Sequence, residues 1–432
     1  MQLIALSCVF FVLALHPFVS YPASLAVLRC LRKPERAAAH STMTPAERRP
    51  SVSVCVCAYN EAVVIEEKAR NLLGLPRRGL DIQLLVYVDG ATDGTAERLH
   101  PFAQEITVVA AEERRGKSYG MRRLAGMATG DILVFSDANV MIAPDALERL
   151  LRYFSDERVG CVSGHLEYRN AEASDTSAVN TSYWRLEEYI KQLETELGSA
   201  IGADGSLFAV RRDLYPAVPD DIIDDFYASL CLLCDGYRVV RAHDVRAYEH
   251  SVVDRGEEFR RKVRIACQAF NVHRMLWPRI RRLPPLTLYC YVSHKLLRWF
   301  AAPNLIAAAV LLTAGLVTLH GPASLAGVAA VGAVGGAAWA GGMRPARKAG
   351  EISLALLATA LGVARSIRGE RFQTWAPAQS IRSVPPSLTL IPGRRKEAGP
   401  AASVVAPTSL DAGHGIPPEF AARQAAYRRD TR

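Results

Sequence analysis

The sequence predicts an α/β fold, a mostly parallel sheet flanked by helices, joined to transmembrane helices. Three observations predict it. Short apolar runs alternate with helically spaced segments between Arg49 and Arg282. Three of those runs end in clusters of Asn, Asp and Gly. Two long stretches, Met1–Leu28 and Trp299–Met343, contain no Asp, Glu, Lys or Arg. In order, Ser51–Ala58 (SVSVCVCA) reads as a strand buried on both faces, because it is short, apolar and β-branched. Glu61–Leu73 has helical spacing, Ile82–Val88 is a second strand, and Ala91–Leu99 begins another helix. Ile106–Ala110 is a third strand, Ser118–Ala128 a helix and Ile132–Phe135 a fourth strand. Strands alternating with helices build a parallel sheet with right-handed crossovers. Ligands then bind beyond the carboxyl ends of the strands.

The membrane segments follow from length and charge. About 20 apolar residues cross a bilayer. Met1–Leu28 is long enough, and a secretory signal peptide, its competitor, wants a positive charge ahead of the apolar run. Here the positive charges come after it, at Arg29, Arg32, Lys33 and Arg36, so the following domain is expected in the cytosol. Trp299–Met343 has room for two helices with a turn at His320-Gly321-Pro322, and Arg344, Arg347 and Lys348 return the chain to the cytosol. Ile352–Ala364 is short for a span. A crossing there would put Arg365, Arg368, Arg371, Arg394 and Arg395 outside, so an interfacial or re-entrant helix is expected. The expected layout is a membrane helix over 1–31, a cytosolic domain over 49–282, an interfacial segment with membrane helices over 285–366, and a basic tail over 367–432 that is loose after Pro385.

Composition narrows the function. The 432 residues carry a net charge of +9 and half are hydrophobic. The basic excess flanks apolar segments, which suits a membrane surface and phosphate-bearing substrates. No zinc-finger spacing or RNA-binding aromatic signature occurs, so nucleic acid is not an expected partner. The nine cysteines form no framework. Cys55 and Cys57 lie in a strand, and the Cys231/Cys234 pair has no second pair to complete a metal site, so these are read as buried, reduced thiols that suit the cytosol.

The polar strand ends are Tyr59-Asn60-Glu61, Asp89-Gly90-Ala91-Thr92-Asp93-Gly94 and Ser136-Asp137-Ala138-Asn139. Each alone reads as a turn. Three on successive strands converge on one cleft. Arg115-Gly116-Lys117, the run from Gly202 to Arg212 (GADGSLFAVRR), and Asp220, Asp221, Asp224 and Asp225 follow in order.

With these motifs in this order, the stretch Ser51–Arg282 resembles the family-2 glycosyltransferases of GT-A fold. The membrane helices after it are similar to those of the cellulose- and hyaluronan-synthase branch. The resemblance implies that Ala58, Tyr59 and Glu61 line a nucleoside pocket, that Asp89 contacts the base, and that Lys117 approaches the diphosphate. It puts Asp137 and Asn139 at the DxD position, where a divalent cation, Mg²⁺ or Mn²⁺, and the nucleotide-sugar donor meet. Asn139 departs from the pattern by offering an oxygen without charge. Gly202, Asp204 and Gly205 belong to an acceptor-side segment, in which glycine lets backbone approach a sugar closely. Asp224-Asp225 matches the ED-type motif, with Asp225 as general base. The downstream QxxRW of processive members becomes Arg261-Lys262-Val263-Arg264-Ile265, which keeps Arg264 but has no indole. Arg261 and Arg264 are then diphosphate or acceptor contacts. The implied activity is inverting transfer, from a UDP-sugar first and a GDP- or dTDP-sugar otherwise, to a polysaccharide or lipid-linked acceptor at a membrane. Single-sugar transfer to a polyprenyl phosphate or another lipid stays open, as do export or polymerase partner subunits and a non-catalytic scaffold of an export complex. His294, Lys295, Arg298 and Trp299 are read as an interfacial belt without chemistry.

Overall fold

The computed structural model describes residues 1–31, 50–168, 175–249 and 254–374. Arg32, Lys33, Arg36 and the tail beyond Thr374 lie outside them. The helices α1 (Gln2–Leu15) and α2 (Ser20–Leu31) come first. The domain follows as β1 (Val52–Ala58), α3 (Ile65–Leu73), β2 (Ile82–Asp89), β3 (Thr107–Ala111), α4 (Lys117–Met127), β4 (Ile132–Asp137) and β5 (Met141–Ile142). It continues through α5 (Ala146–Tyr153), β6 (Val159–Tyr168), α6 (Asp175–Leu197), β7 (Leu207–Arg211), α7 (Asp224–Cys234), β8 (Arg238–Glu249) and α8 (Arg255–Ile280). After it, α9 (Pro285–Tyr291) passes through a π-helical turn, Val292–Leu296, into the single turn α10 (Leu297–Trp299). The chain ends its described part with α11 (Ala301–His320), α12 (Ser324–Ala340) and α13 (Arg344–Ile367).

One eight-stranded sheet carries the domain, in the order β3-β2-β1-β4-β7-β6-β8-β5. β1 pairs in parallel with β2 and β4, and β2 with β3. β7 runs antiparallel between β4 and β6. Alternation along the strands builds two cores. Val52, Val54, Val56 and Ala58 join Leu84, Val86, Ile132 and Val134 on one face, under α3 and α5. Cys55, Leu85, Tyr87, Leu133 and Phe135 point to the other, under α4 and α7. Each fully buried Val, Leu, Ile or Phe contributes about 1.5–3 kcal/mol, which is why both faces of β1 demand apolar residues. Cys231 is buried on α7 and, like Cys234, unbridged.

Three expectations change. The helix expected over Ala91–Leu99 is a turn followed by a 3-10 helix, Glu97–Phe102. The Asp93 carboxylate accepts from the amides of Ala62 and Thr95 and from the Thr95 hydroxyl, so the side chain captures amides that a helix would need. The N-terminal apolar run is two helices bent by 65° rather than one. Pro17 sits in the break and can donate no backbone bond. The segment expected as short, Ile352–Ala364, belongs to the 24-residue helix α13, because the helix already begins at Arg344. By length and composition α11 and α13 could each cross a membrane, and the bent pair α1/α2 is a third candidate, while α12 is shorter. The turn at His320-Gly321-Pro322 forms as expected, with Gly321 at φ 75°.

α13 also lies against α8. A Cβ at Gly362 would overlap the Val263 carbonyl oxygen and lie 2.7 Å from the Ala266 Cβ. Gly362→Ala is therefore expected to destabilise the detergent-purified protein by about 1–3 kcal/mol, read as a lowered thermal unfolding midpoint. An unchanged midpoint would mean the two helices separate without cost.

Candidate active site

The strand order reverses direction at β1 and β4, so the crevice of the sheet opens between their carboxyl ends. Register puts Cys57 opposite Asp137, and Ala58 opposite Val88, one residue before Asp89. Tyr59, Asp89 and Asp137 therefore leave the sheet at one edge. β7 meets β4 antiparallel with Leu207 opposite Ser136, and the Asp137 amide donates to the Ser206 carbonyl at 3.3 Å. That pairing delivers Asp204 and Gly205 to the same edge. A cavity of about 1570 Å³ begins here and continues to Phe18, Leu305, Ile352 and Leu356 of the apolar helices.

Lys117 sits at the centre. It opens α4 after Gly116, whose φ of 94° turns the chain sharply. Its Nζ lies 2.6 Å from Asp137 Oδ1 and 3.9 Å from Asp224 Oδ1. Burial works against its charge, but Asp137, Asp224 and Asp225 outweigh burial and hold the ammonium well above its ordinary value. Asp224 and Asp225 form the first turn of α7, where the helix dipole favours negative charge. Burial first, then Asp224, lifts Asp225 from its ordinary 3.8 to about 7, against the pull of Lys117. A carboxyl group near neutrality is suited to accept a proton. Gly205 makes room for it: a Cβ there would lie 2.7 Å from Asp225 Oδ2. The close neighbour of this glycine is thus the carboxylate. Gly202, at φ 90°, likewise faces the Phe226 ring, 2.7 Å from a Cβ placed there. Asp220 and Asp221 point away into ion pairs with Arg122 and Arg371, at 2.7 and 2.6 Å.

The other predicted residues divide by task. Tyr59 lines the cavity with the Arg114 guanidinium 3.5 Å over its ring. Ala58 is buried in the sheet beneath, and the Glu61 amide donates to Thr95 Oγ1. Asp89 accepts from the amides of Arg115 and Gly116 at 2.7 and 2.8 Å, so it shapes the loop that presents Lys117. The Asp204 carboxylate lies 3.8 Å from Lys191 and 3.9 Å from Arg241. Arg261 pairs with Glu258 at 3.5 Å. Arg264 donates to Gln268 at 3.3 Å, and burial, then Arg261, pulls its guanidinium down to about 9.

Asn139 donates its amide to Glu249 at 2.9 Å. Glu249, at the end of β8, was not flagged by any motif; only the fold brings it to Asp137. Burial lifts it to about 7, with Arg261 opposing. Among the described residues no three His, Cys, Asp or Glu form a closed metal cage. A half-open Asp137 carboxylate with Asn139 and Glu249 beside it fits a cation that takes one or two protein oxygens and completes its shell from phosphate. Lys68 was also overlooked. Its buried Nζ donates to Ser136 Oγ at 2.8 Å and to the Val140 carbonyl at 2.5 Å, tying down the loop that holds Asp137. Its position on the apolar face of α3, with Ile65, Ala69 and Leu72, was the available signal.

The belt reading of His294, Lys295 and Arg298 is corrected. His294 is fully buried, its Nδ1 2.7 Å from Glu194 and its Nε2 3.0 Å from Glu187. Lys295 and Arg298 both pair with Glu187.

Residues 53–218 match the family model described as Glycosyl transferase family 2. Over that stretch the chain is similar to glycosyltransferase family 2 domains. It is 28% identical over 168 residues to a beta-monoglucosyldiacylglycerol synthase from Nostoc sp., covering 38% of this chain and 36% of that one. It is 25% identical over 210 residues to an N-acetylglucosaminyltransferase from Rhizobium leguminosarum bv. viciae, covering 44% and 48%. The chain thus spans from a third to a half of the length of these curated relatives. A mannosyltransferase from Pyrobaculum calidifontis, solved in complex with GDP-Man and Mn²⁺, superposes at a TM-score of 0.66 with 24% identity, over 85% of this chain and 99% of that one. The likeness shows a GT-A-type fold with flanking helices; the sheet expected as mostly parallel is mixed, with β7 antiparallel to β4 and β6 and β5 antiparallel to β8.

The candidate site has two checks. Gly205→Ala should push Asp225 aside and lower kcat about 100-fold with little change in unfolding midpoint; kcat within a factor of three would mean the carboxylate is free to move. Stability should also depend on pH. Because folding raises the Asp225 value from 3.8 to about 7, its contribution is fully present below 3.8 and lost as pH rises through 7. Across that window the unfolding midpoint of the native chain is expected to fall more than that of Asp225→Asn. Parallel curves would refute the shift.

Proposed function

We propose that the chain is a membrane-bound, inverting glycosyltransferase that moves one sugar from a nucleotide-diphospho-sugar to a lipid-linked acceptor on the cytosolic face. The observation that carries this reading is the continuous cavity. It runs from Lys117, Asp137 and Asp225 to Phe18, Leu305, Ile352 and Leu356, so one end suits a diphosphate and the other a hydrocarbon chain. The similarity to a beta-monoglucosyldiacylglycerol synthase is in keeping with it. The basic residues Arg29, Arg344, Arg347 and Lys348 follow the apolar runs in sequence, with Arg29 paired to Glu196 and Lys348 lining the cavity, which favours a cytosolic site.

Chemically, the donor diphosphate meets the Lys117 ammonium at the N-terminus of α4, where helix amides add positive potential. Asp137, with Asn139 and Glu249, would hold a divalent cation, which when bound neutralises charge on the departing diphosphate. Mn²⁺ accompanies the donor in the Pyrobaculum mannosyltransferase. Asp225 takes the proton from the acceptor hydroxyl. As the oxygen bonds to the anomeric carbon, the bond to the diphosphate breaks on the opposite face. The Arg261 and Arg264 guanidiniums supply further positive charge on the same cavity wall. Ile265 in place of an indole gives no stacking platform for a growing chain, which favours a single transfer.

The test is transfer by detergent-purified protein from UDP-, GDP- and dTDP-sugars with Mn²⁺ or Mg²⁺ to prenyl-phosphate and diacylglycerol acceptors. One donor should support turnover, and Asp225→Asn should lower it about 10²- to 10⁴-fold. The rate should rise with pH to a plateau through about 7, since the base must lose its proton. No turnover by folded protein with any donor and acceptor would overturn the reading.

A further inference from the structure

Between Asp225 and the apolar helices the cavity wall carries a second group of charges that the transfer step does not use. Lys295 and Arg298 are one turn apart, on the π-helical turn Val292–Leu296 and the α10 turn that follows. Both line the cavity, together with Phe226, Trp299 and Phe18. Lys295 Nζ donates to Glu187 at 3.0 Å. Arg298 Nη1 donates to Tyr183 Oη at 2.8 Å and to Glu187. The same carboxylate is 3.0 Å from His294 and 3.8 Å from Lys191. Glu194 is turned the other way, accepting from Tyr21 and the Ile201 amide and facing His294 Nδ1. One carboxylate thus serves both cations that face the cavity, leaving the wall positive.

Arg298 is only 8% exposed, yet its Nε and Nη2 find no hydrogen-bond partner among the described residues. Two unmet donors on a buried guanidinium are unfavourable unless a ligand takes them. They belong to the planar fork that matches the oxygens of a phosphate. Lys295 Nζ lies 6.0 Å from the centroid of the Phe226 ring, and Phe226 follows Asp225 directly. On the far side the Arg298 guanidinium lies 5.4 Å from the centroid of the Phe18 ring. The pair therefore stands between the proton acceptor and the hydrocarbon end of the cavity.

We propose that Lys295 and Arg298 form an anion subsite that binds the phosphate group of the lipid acceptor and so sets where its attacking oxygen, a phosphate oxygen in a prenyl phosphate, stands relative to Asp225. The proposal rests on the lipid-acceptor reading above and adds to it the chemical class of the acceptor: a phosphate-bearing lipid, not a neutral one. Glu187 holds the two side chains in place between encounters, and Tyr183 fixes the guanidinium plane.

Isothermal titration of the full-length protein in detergent tests this with three probes: a short prenyl phosphate, the matching prenyl alcohol and inorganic phosphate. The native chain should bind the prenyl phosphate about 10- to 100-fold more tightly than the alcohol. Arg298→Gln and Lys295→Gln should each erase most of that preference. Arg298→Lys keeps a charge opposite Glu187 but not the fork; it should retain the native unfolding midpoint while losing part of the preference, which separates recognition from folding. A preference that survives Arg298→Gln, Arg298→Lys and Lys295→Gln overturns the subsite and leaves the lipid-acceptor reading standing. Equal binding of phosphate and alcohol by the native chain does the same. Binding of neither prenyl compound overturns the subsite, while the lipid-acceptor reading falls only if diacylglycerol also fails in the transfer assay. Inorganic phosphate that binds as tightly as prenyl phosphate, with the same dependence on Arg298, overturns the lipid assignment in favour of a free anion.

Discussion

Lys117 and its carboxylates are the constraint around which the site is built. Asp137, Asp224 and Asp225 come from two elements far apart in sequence, and unscreened they would repel in a cavity of low polarity. One ammonium, 2.6 Å from Asp137, lets them share the space. The surroundings serve that arrangement. Asp89 pins the loop before Lys117, Gly205 gives Asp225 room, and Lys68 anchors the loop after Asp137 from below. The same balance leaves Asp225 easy to protonate, because burial and Asp224 together exceed the help from Lys117.

A second polar cluster joins the domain to the apolar helices. Glu187 and Glu194 on α6 meet His294, Lys295 and Arg298 after α9, and Tyr21 of α2. The bend at Pro17 is part of this joint, since the His16 ring lies 2.8 Å from Ser20 Oγ and 2.9 Å from Ser293 Oγ. Groups this buried are costly unless every member is matched, so the cluster fixes one arrangement of helices rather than adding much net stability. The idle donors of Arg298 stand out against that rule.

Much of the domain could be read from the chain. β1, β2 and β4 were legible because strands buried on both faces need unbroken apolar runs, and SVSVCVCA admits little else. Tyr59, Asp89 and Asp137 were legible because strand ends converge in a parallel sheet. The helix expected at Ala91–Leu99 failed because periodicity takes no account of a side chain such as Asp93 that captures neighbouring amides. For Asp89 the sequence reveals a carboxylate at a strand end, and only packing reveals that backbone amides already surround it.

By itself the sequence determined the α/β sheet, the apolar segments, and the order of motifs that resembles glycosyltransferase family 2, since these depend on periodicity, length and local spacing. The tertiary structure alone decided that β7 returns antiparallel beside β4 and carries Gly205 to Asp225. It also decided that Glu249 reaches Asn139 across 110 positions, and that Glu187 lies among cations 108 and 111 positions away. Such partners are chosen by strand pairing and helix packing, and no local pattern in the chain records which distant side chain will fill a charged residue's surroundings.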